Sequence, residues 1–215
     1  MRSFPVSLAL LLFAVVTHPK PSNATLIANG SFEAMVIPHG YQVMHVGSTL
    51  IEPWEISREN VDLVGSYWQA ADGTQSLDLN GSGGIGAVAQ TFSTIVGQLY
   101  RVTFAMAANP DGCSIYTMAV AAAGSQAEFS ADVCGTVTSM GWEDKSWDFI
   151  ATAETTTLEF LSLSGSGESG PALDDVAVTP VPEPSVASLI MMGLVAIGFF
   201  CRARFASRCP TRRCS

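Results

Sequence analysis

Apolar and polar residues alternate with a period of two through most of the chain between Thr25 and Thr179. Tyr100, Val102, Phe104 and Met106 share one face of such a segment, while Arg101 and Thr103 take the other. Successive side chains of a strand point to opposite faces, so this is the pattern of a half-buried strand. Similar runs at Asn60 to Val64, Gln75 to Leu79, Ile85 to Phe92, Ile115 to Ala121, Ala127 to Val133, Trp147 to Ala151, Thr157 to Leu163 and Leu173 to Val178 predict nine strands in all. Asn29-Gly30, Asp72-Gly73, Asn80-Gly81, Asn109-Pro110-Asp111-Gly112 and Ser164 to Gly170 supply turn chemistry between them. No stretch of helical length shows a 3.6-residue period, and there is no internal repeat and no linker before Pro180. The expected fold class is all-β: a single jelly-roll β-sandwich occupying residues 25–179.

Two terminal segments break the alternation. Arg2, the apolar run from Val6 to Val16 and the small residues Ser22-Asn23-Ala24 follow the basic, apolar and small-residue order of a secretory signal. Residues 1–24 are therefore predicted to be a signal peptide. At the other end, Val186 to Phe200 carries no charge and is followed by Arg202, Arg204, Arg208, Arg212 and Arg213. That asymmetry predicts a short transmembrane helix over 186–200 with a basic cytoplasmic tail at 205–215. The run is shorter than the roughly 20 residues of a permanent span. Pro182, Glu183 and Pro184 stand just before it. The triplet, the apolar run and the arginine-rich end, over residues 180–204, resemble a PEP-CTERM sorting signal. The resemblance implies handling by an exosortase in the inner membrane of a Gram-negative bacterium. It also implies a precursor tethered through the helix and delivery to the cell surface or extracellular matrix. The chain departs from the pattern by running on through Cys209 and Cys214.

Charge changes the picture once it is counted by region. The 215 residues carry a net charge of −9, but between Thr25 and Pro180 only Arg58, Arg101 and Lys145 oppose 18 acidic residues, a balance of −15. Such a field disfavours nucleic acid and other polyanions. It suits a solvated secreted surface, or clustered oxygen ligands for a hard cation such as calcium. Only 13% of residues are charged and 48% are hydrophobic, which argues against disorder. Of five cysteines, only Cys113 and Cys134 lie in the predicted exported body, and an even exported pair points to a disulfide.

The segments Asn29-Gly30-Ser31-Phe32-Glu33, Val61-Asp62-Leu63-Val64, Tyr67-Trp68, Ala71-Asp72-Gly73, Ser76-Leu77-Asp78-Leu79-Asn80-Gly81, Gln90-Thr91-Phe92, Met140-Gly141-Trp142 and Gly170-Pro171-Ala172-Leu173-Asp174-Asp175-Val176 together resemble the choice-of-anchor C domain. That bacterial family is related to a plant cell-wall family of unknown function with a galactose-binding-like jelly roll. The opening Asn-Gly-x-Phe-Glu and the closing Leu-Asp-Asp-Val are also similar to those of jelly-roll carbohydrate-binding modules, whose first and last strands share a structural calcium. The resemblance implies a Ca²⁺ held by Glu33 and Asp174, with Asp175 and carbonyls near Ser31. The alternative is that these carboxylates accept only backbone N–H bonds.

Sugar recognition calls for flat aromatic faces beside amide and carboxylate groups. Tyr67, Trp68 and Asp72, with Trp142, are the candidate carbohydrate-binding residues, and packing is equally open to their rings. Trp54 and Trp147 fit the core. Asp62 and Asp78 form a possible catalytic pair, but glycoside hydrolysis needs two acids ~5 to 9 Å apart in a cleft. His39 and His45 fall in a loop-like stretch, Pro38 to Ser48, and GxSxG, HExxH, P-loop and Rossmann motifs are absent. The expectation is a non-catalytic exported protein that binds polysaccharide. A structural matrix or adhesion protein without a saccharide site is the alternative.

Overall fold

The computed structural model describes residues 25–82, 84–164 and 167–182. The expected signal peptide, the apolar run 186–200, Glu183, Pro184 and the basic tail lie outside those residues. No helix occurs among the described residues, and none there is long and apolar enough to cross a membrane.

Eleven strands form: β1 Tyr41–His45, β2 Glu55–Arg58, β3 Asn60–Val64, β4 Ser76–Asp78, β5 Ala87–Ser93, β6 Leu99–Ala108, β7 Tyr116–Ala122, β8 Ser125–Ala131, β9 Glu143–Ile150, β10 Thr155–Ser162 and β11 Pro171–Pro180. They make a six-stranded sheet of order β1-β3-β4-β11-β6-β9 and a five-stranded sheet of order β2-β5-β10-β7-β8. Every pairing between strands is antiparallel. Counting from β4, the eight strands β4 to β11 fall into the two sheets in the orders 1-8-3-6 and 2-7-4-5. Two interlocked Greek keys give that order, so the jelly roll follows from the topology itself.

The nine expected strands all form, with ends displaced by up to four residues. Two were not expected. β1 falls within the stretch read as a loop, because it is an edge strand that buries only Met44 and so lacks alternation. β2 is a four-residue strand that buries only Ile56. β9 begins four residues early, because Glu143-Asp144-Lys145-Ser146 pairs with β6 although it carries no apolar face.

Between the sheets, Trp54 packs on Phe32 and Phe160, and Phe104 meets Phe129 and Phe160 edge-on at 5.2 and 5.1 Å. Tyr100, Val102, Phe104 and Met106 all point into this core, as the alternation requires. In β11 the inward residues are Leu173, Val176 and Val178, so the period slips by one. A bulge between Asp174 and Ala177, with Asp175 at φ 47°, absorbs the extra residue.

The outer face of the six-stranded sheet is covered in part. Val64, Trp68, Ala107, Met140 and Ala172, with Trp142 against them, form a second small apolar cluster there. This explains why Ala107 is buried although it faces away from the main core. Beside this cluster the same face of β3 and β4 carries Asn60, Asp62, Ser76 and Asp78, which are polar although buried.

Candidate functional site

Asp62 of β3 and Asp78 of β4 are direct cross-strand partners. Their neighbours Val61, Leu63 and Leu77 point into the core, so both carboxyls must point outward. A cavity of about 220 Å³ opens over them. It is smaller than the ~300 Å³ at which small-molecule pockets usually begin.

Three loops build its walls. Asn109, in the turn after β6, donates from its amide to Asp78 Oδ2 at 2.6 Å, and its Oδ1 accepts the Asp111 N–H at 2.8 Å. The Asn109-Pro110-Asp111-Gly112 sequence thus forms an Asx turn anchored on the sheet. Tyr67, in the loop after β3, donates its hydroxyl to Asp111 Oδ2 at 2.6 Å. Its ring lies edge-on to Tyr41 of β1 and beside Trp68, each 6.0 Å away. Glu168 and Ser169, before β11, complete the rim. A disulfide between Cys113 and Cys134 ties the loop after β6 to the one after β8.

The floor is polar and buried. Asp78 is buried; it accepts the Asn80 N–H at 2.9 Å on Oδ1 and the Asn109 amide on Oδ2. Burial pushes its carboxyl up to about 7, against the pull of those donors. Asp62 is raised to about 6, again chiefly by burial. Its Oδ1, like those of the buried Asn60 and Asn80, accepts no hydrogen bond from the described protein.

Of the four residues expected to bind sugar, Tyr67 and Trp68 line this cavity and Asp72 and Trp142 do not. Trp68 is only 5% exposed and donates its indole N–H to Ser76 Oγ at 2.7 Å, so it forms wall and core at once. Trp142 donates to the Gln69 carbonyl at 2.9 Å and packs on the outer cluster. Asp72 accepts the Ser31 hydroxyl at 2.7 Å and holds the N-terminal segment. Tyr41, Asn109, Asp111, Glu168 and Ser169 were not singled out from the sequence. The Asp62 and Asp78 pair was, and the two acids are indeed neighbours on one face. Asp78, however, lies beneath the surface with both oxygens engaged.

Glu33, Asp174 and Asp175 do not converge as an ion site. Glu33 Oε1 accepts the N–H groups of Thr74 and Gln75 at 2.6 and 2.7 Å, and Oε2 accepts the Thr74 hydroxyl at 2.8 Å. Asp174 Oδ2 accepts the N–H groups of Ala71 and Asp72 at 2.8 and 2.9 Å, and Oδ1 that of Asp175. The two carboxylates grip the 71–75 loop from either side. An ion there would face N–H protons, so the residues present do not fit calcium; among the described residues no three His, Cys, Asp or Glu side chains are grouped for a metal. Burial raises Asp174 to about 7. The opening motif has its own logic. The Asn29 amide donates to the Ile51 and Glu52 carbonyls, and a Cβ at Gly30 would collide with the Val176 carbonyl of β11.

Comparison with known proteins places this geometry in context. Halomucin of Haloquadratum walsbyi is 29% identical over 192 residues, 84% of this chain but 2% of that protein, so the chain spans about 2% of its curated relative. Among solved structures, TmCBM61 in complex with beta-1,4-galactotriose is 14% identical with a TM-score of 0.48, covering 74% of this chain and 99% of that one. A family 35 carbohydrate binding module from Clostridium thermocellum is 14% identical with a TM-score of 0.45, covering 65% and 98%. The CBM22-1 xylan-binding domain of Paenibacillus barcinonensis Xyn10C is 13% identical with a TM-score of 0.45, covering 75% and 97%. Residues 180–204 match the model of the PEP-CTERM protein-sorting motif. Residues 25–179, the whole sandwich, match the model of the family described as protein of unknown function (DUF642), and the chain belongs to that family.

Proposed function

We propose that this is an exported protein, sorted through its PEP-CTERM segment by an exosortase to the cell surface or matrix of a Gram-negative bacterium, where its jelly roll binds polysaccharide without catalysis. The observation that carries the reading is the cavity between Tyr41, Tyr67 and Trp68. Aromatic edges and faces at the mouth suit the C–H surface of a pyranose, and carboxyl oxygens at the floor suit its hydroxyl groups. Tyr41 and Tyr67 are both more than a third exposed, so a chain of sugars can reach them from solvent. Hydrolysis is a poor match for the same cavity, because Asp78 cannot approach a glycosidic oxygen while it serves Asn80 and Asn109.

The test is retention of the purified full chain in mild detergent on a polysaccharide panel, beside Tyr67→Ala and Tyr41→Ala. Saturable retention lost in both variants, with circular dichroism unchanged, supports the reading. Retention on no polysaccharide by a folded chain would favour the structural matrix or adhesion role, and release of new reducing ends would favour an enzyme.

A further inference from the structure

We infer that, while the chain is tethered, the sandwich stands end-on against the lipid bilayer, seated through the exposed aliphatic side chains of Ile95, Val96 and Ile150. The inference rests on the tether expected at residues 186–200 and is independent of the carbohydrate reading. Its first support is the place where the chain leaves the sandwich. β6 begins at Leu99, whose carbonyl accepts the Val181 N–H at 2.9 Å and whose register partner on the other side is Ile150. Ile95 and Val96 stand in the turn just before β6. Ile95, Val96 and Ile150 are each more than half exposed. The Thr25 hydroxyl accepts the Val178 N–H at 3.0 Å, so the N-terminal end of the described chain lies here too. Only four residue steps separate Pro182 from Val186, where the apolar run starts. At no more than about 3.6 Å per step, that link spans at most about 14 Å. The headgroup layer takes up about 5 to 8 Å of that reach. An apolar run held in the bilayer therefore holds this end of the sandwich at the lipid surface.

The second support is the chemistry of that end. Within residues 94–99, 150–154 and 178–182 the only ionisable side chain is Glu154, in a body of net charge −15. Anionic lipid repels the acidic flanks, so close contact is confined to this charge-poor tip. The backbone of the tip is already paired. The Thr94 N–H donates to the Glu154 carbonyl and the Gly97 N–H to the Ala151 carbonyl, each at 2.8 Å, and the Ala151 N–H donates to the Gln98 carbonyl at 3.0 Å. The Ile95 N–H donates to the Tyr100 hydroxyl at 2.9 Å. With those groups satisfied, aliphatic side chains enter the interface without stripping water from bare amides. From this end the ten-residue β6 leads to Asn109, which lines the cavity about 30 Å further along the strand. The cavity is thereby held clear of the membrane.

The experiment reconstitutes the full chain into phosphatidylcholine vesicles, with and without lipid brominated on its acyl chains near the headgroup. Val96→Trp and Ile150→Trp each add a fluorescent reporter at the tip, and the native chain, treated identically, supplies the background of its own four tryptophans. Ile115→Trp is the control. Ile115 is also more than half exposed but lies at the other end, since β10 runs from Thr155 beside the tip to Ser162, which pairs with Met118 early in β7. Circular dichroism confirms the fold of each variant. The added emission at positions 96 and 150 is expected to shift to the blue and to be lost with brominated lipid, while that at position 115 keeps its intensity. If the chain floats with the vesicles and neither tip reporter is quenched, the lipid contact is overturned and the tether stands; a blue shift without quenching would then mean that protein covers the tip. Equal quenching at position 115 overturns the end-on stance. If the native chain does not float with the vesicles at all, the tether reading fails and this inference falls with it.

Discussion

Replacing Cys113 and Cys134 together by serine should loosen the site as well as the fold. The two cysteines are 21 positions apart, with Cα atoms 5.1 Å apart. Closing a loop of that length removes about 11 cal/mol/K of chain entropy from the unfolded state, about 3.4 kcal/mol at 25 °C. At the 2 to 4 °C per kcal/mol typical of a body this size, the melting temperature should fall by about 10 °C. The bridge sits between the loop holding Asn109 and Asp111 and the loop leading to Met140 and Trp142. Without it, Asp111 loses the constraint that presents it to Tyr67, so glycan retention should weaken more than stability alone requires. Thermal unfolding of the native and doubly substituted chains, each with and without a thiol reductant, checks this. The reductant should lower the melting temperature of the native chain to that of the variant and leave the variant unchanged. Melting temperatures within about 2 °C of each other would refute the entropic argument for this loop.

Three further outcomes follow from the geometry. Asp62, Asp78 and Asp174 all ionise in the folded state well above the 3.8 of a free carboxyl. Folding therefore favours their protonated forms, and this contribution is full below about pH 4 and is lost as pH rises through 6 to 7. The melting temperature should be several degrees lower at about pH 8.5 than at about pH 5, and the −15 charge of the body acts in the same direction; a melting temperature that rises over that interval contradicts the burial of these groups. Trp54→Ala should cost about 3 to 5 kcal/mol by urea denaturation, because the indole is 1% exposed between Phe32 and Phe160 and donates to the Asn29 carbonyl; a loss under about 1 kcal/mol would place it outside the core. Chelator should leave both the melting temperature and glycan retention unchanged, since Glu33 and Asp174 already satisfy backbone N–H groups; a drop on chelation would restore the calcium expectation.

How much of this was legible beforehand differs from residue to residue. The sandwich was visible because β6 and its partners alternate cleanly, and alternation is a local property of the chain. β1 and β2 were not, because an edge strand with one buried residue leaves no period to see. Tyr67 and Trp68 stood out by type, yet their difference in exposure depends on the apolar cover formed by Met140, Ala107 and Ala172 from distant segments. Asp62 and Asp78 each sat between apolar neighbours at the outward phase of a strand, a pattern that marks a buried acid if one looks for it. That they face each other needed the β3 to β4 register. Asn109 and Asp111 looked like an ordinary turn, and their role appears only when that turn folds over the sheet. Glu33 and Asp174 show the limit of motif reading, since a carboxylate that binds calcium and one that accepts backbone N–H bonds share residue type and spacing.

Retention on a polysaccharide panel decides whether the cavity over Asp62 holds a sugar. The native chain should be retained saturably and without regard to chelator, and Tyr67→Ala should abolish that retention without changing the circular dichroism. Equal retention of the native and Tyr67→Ala chains, or none by a folded native chain, would contradict it.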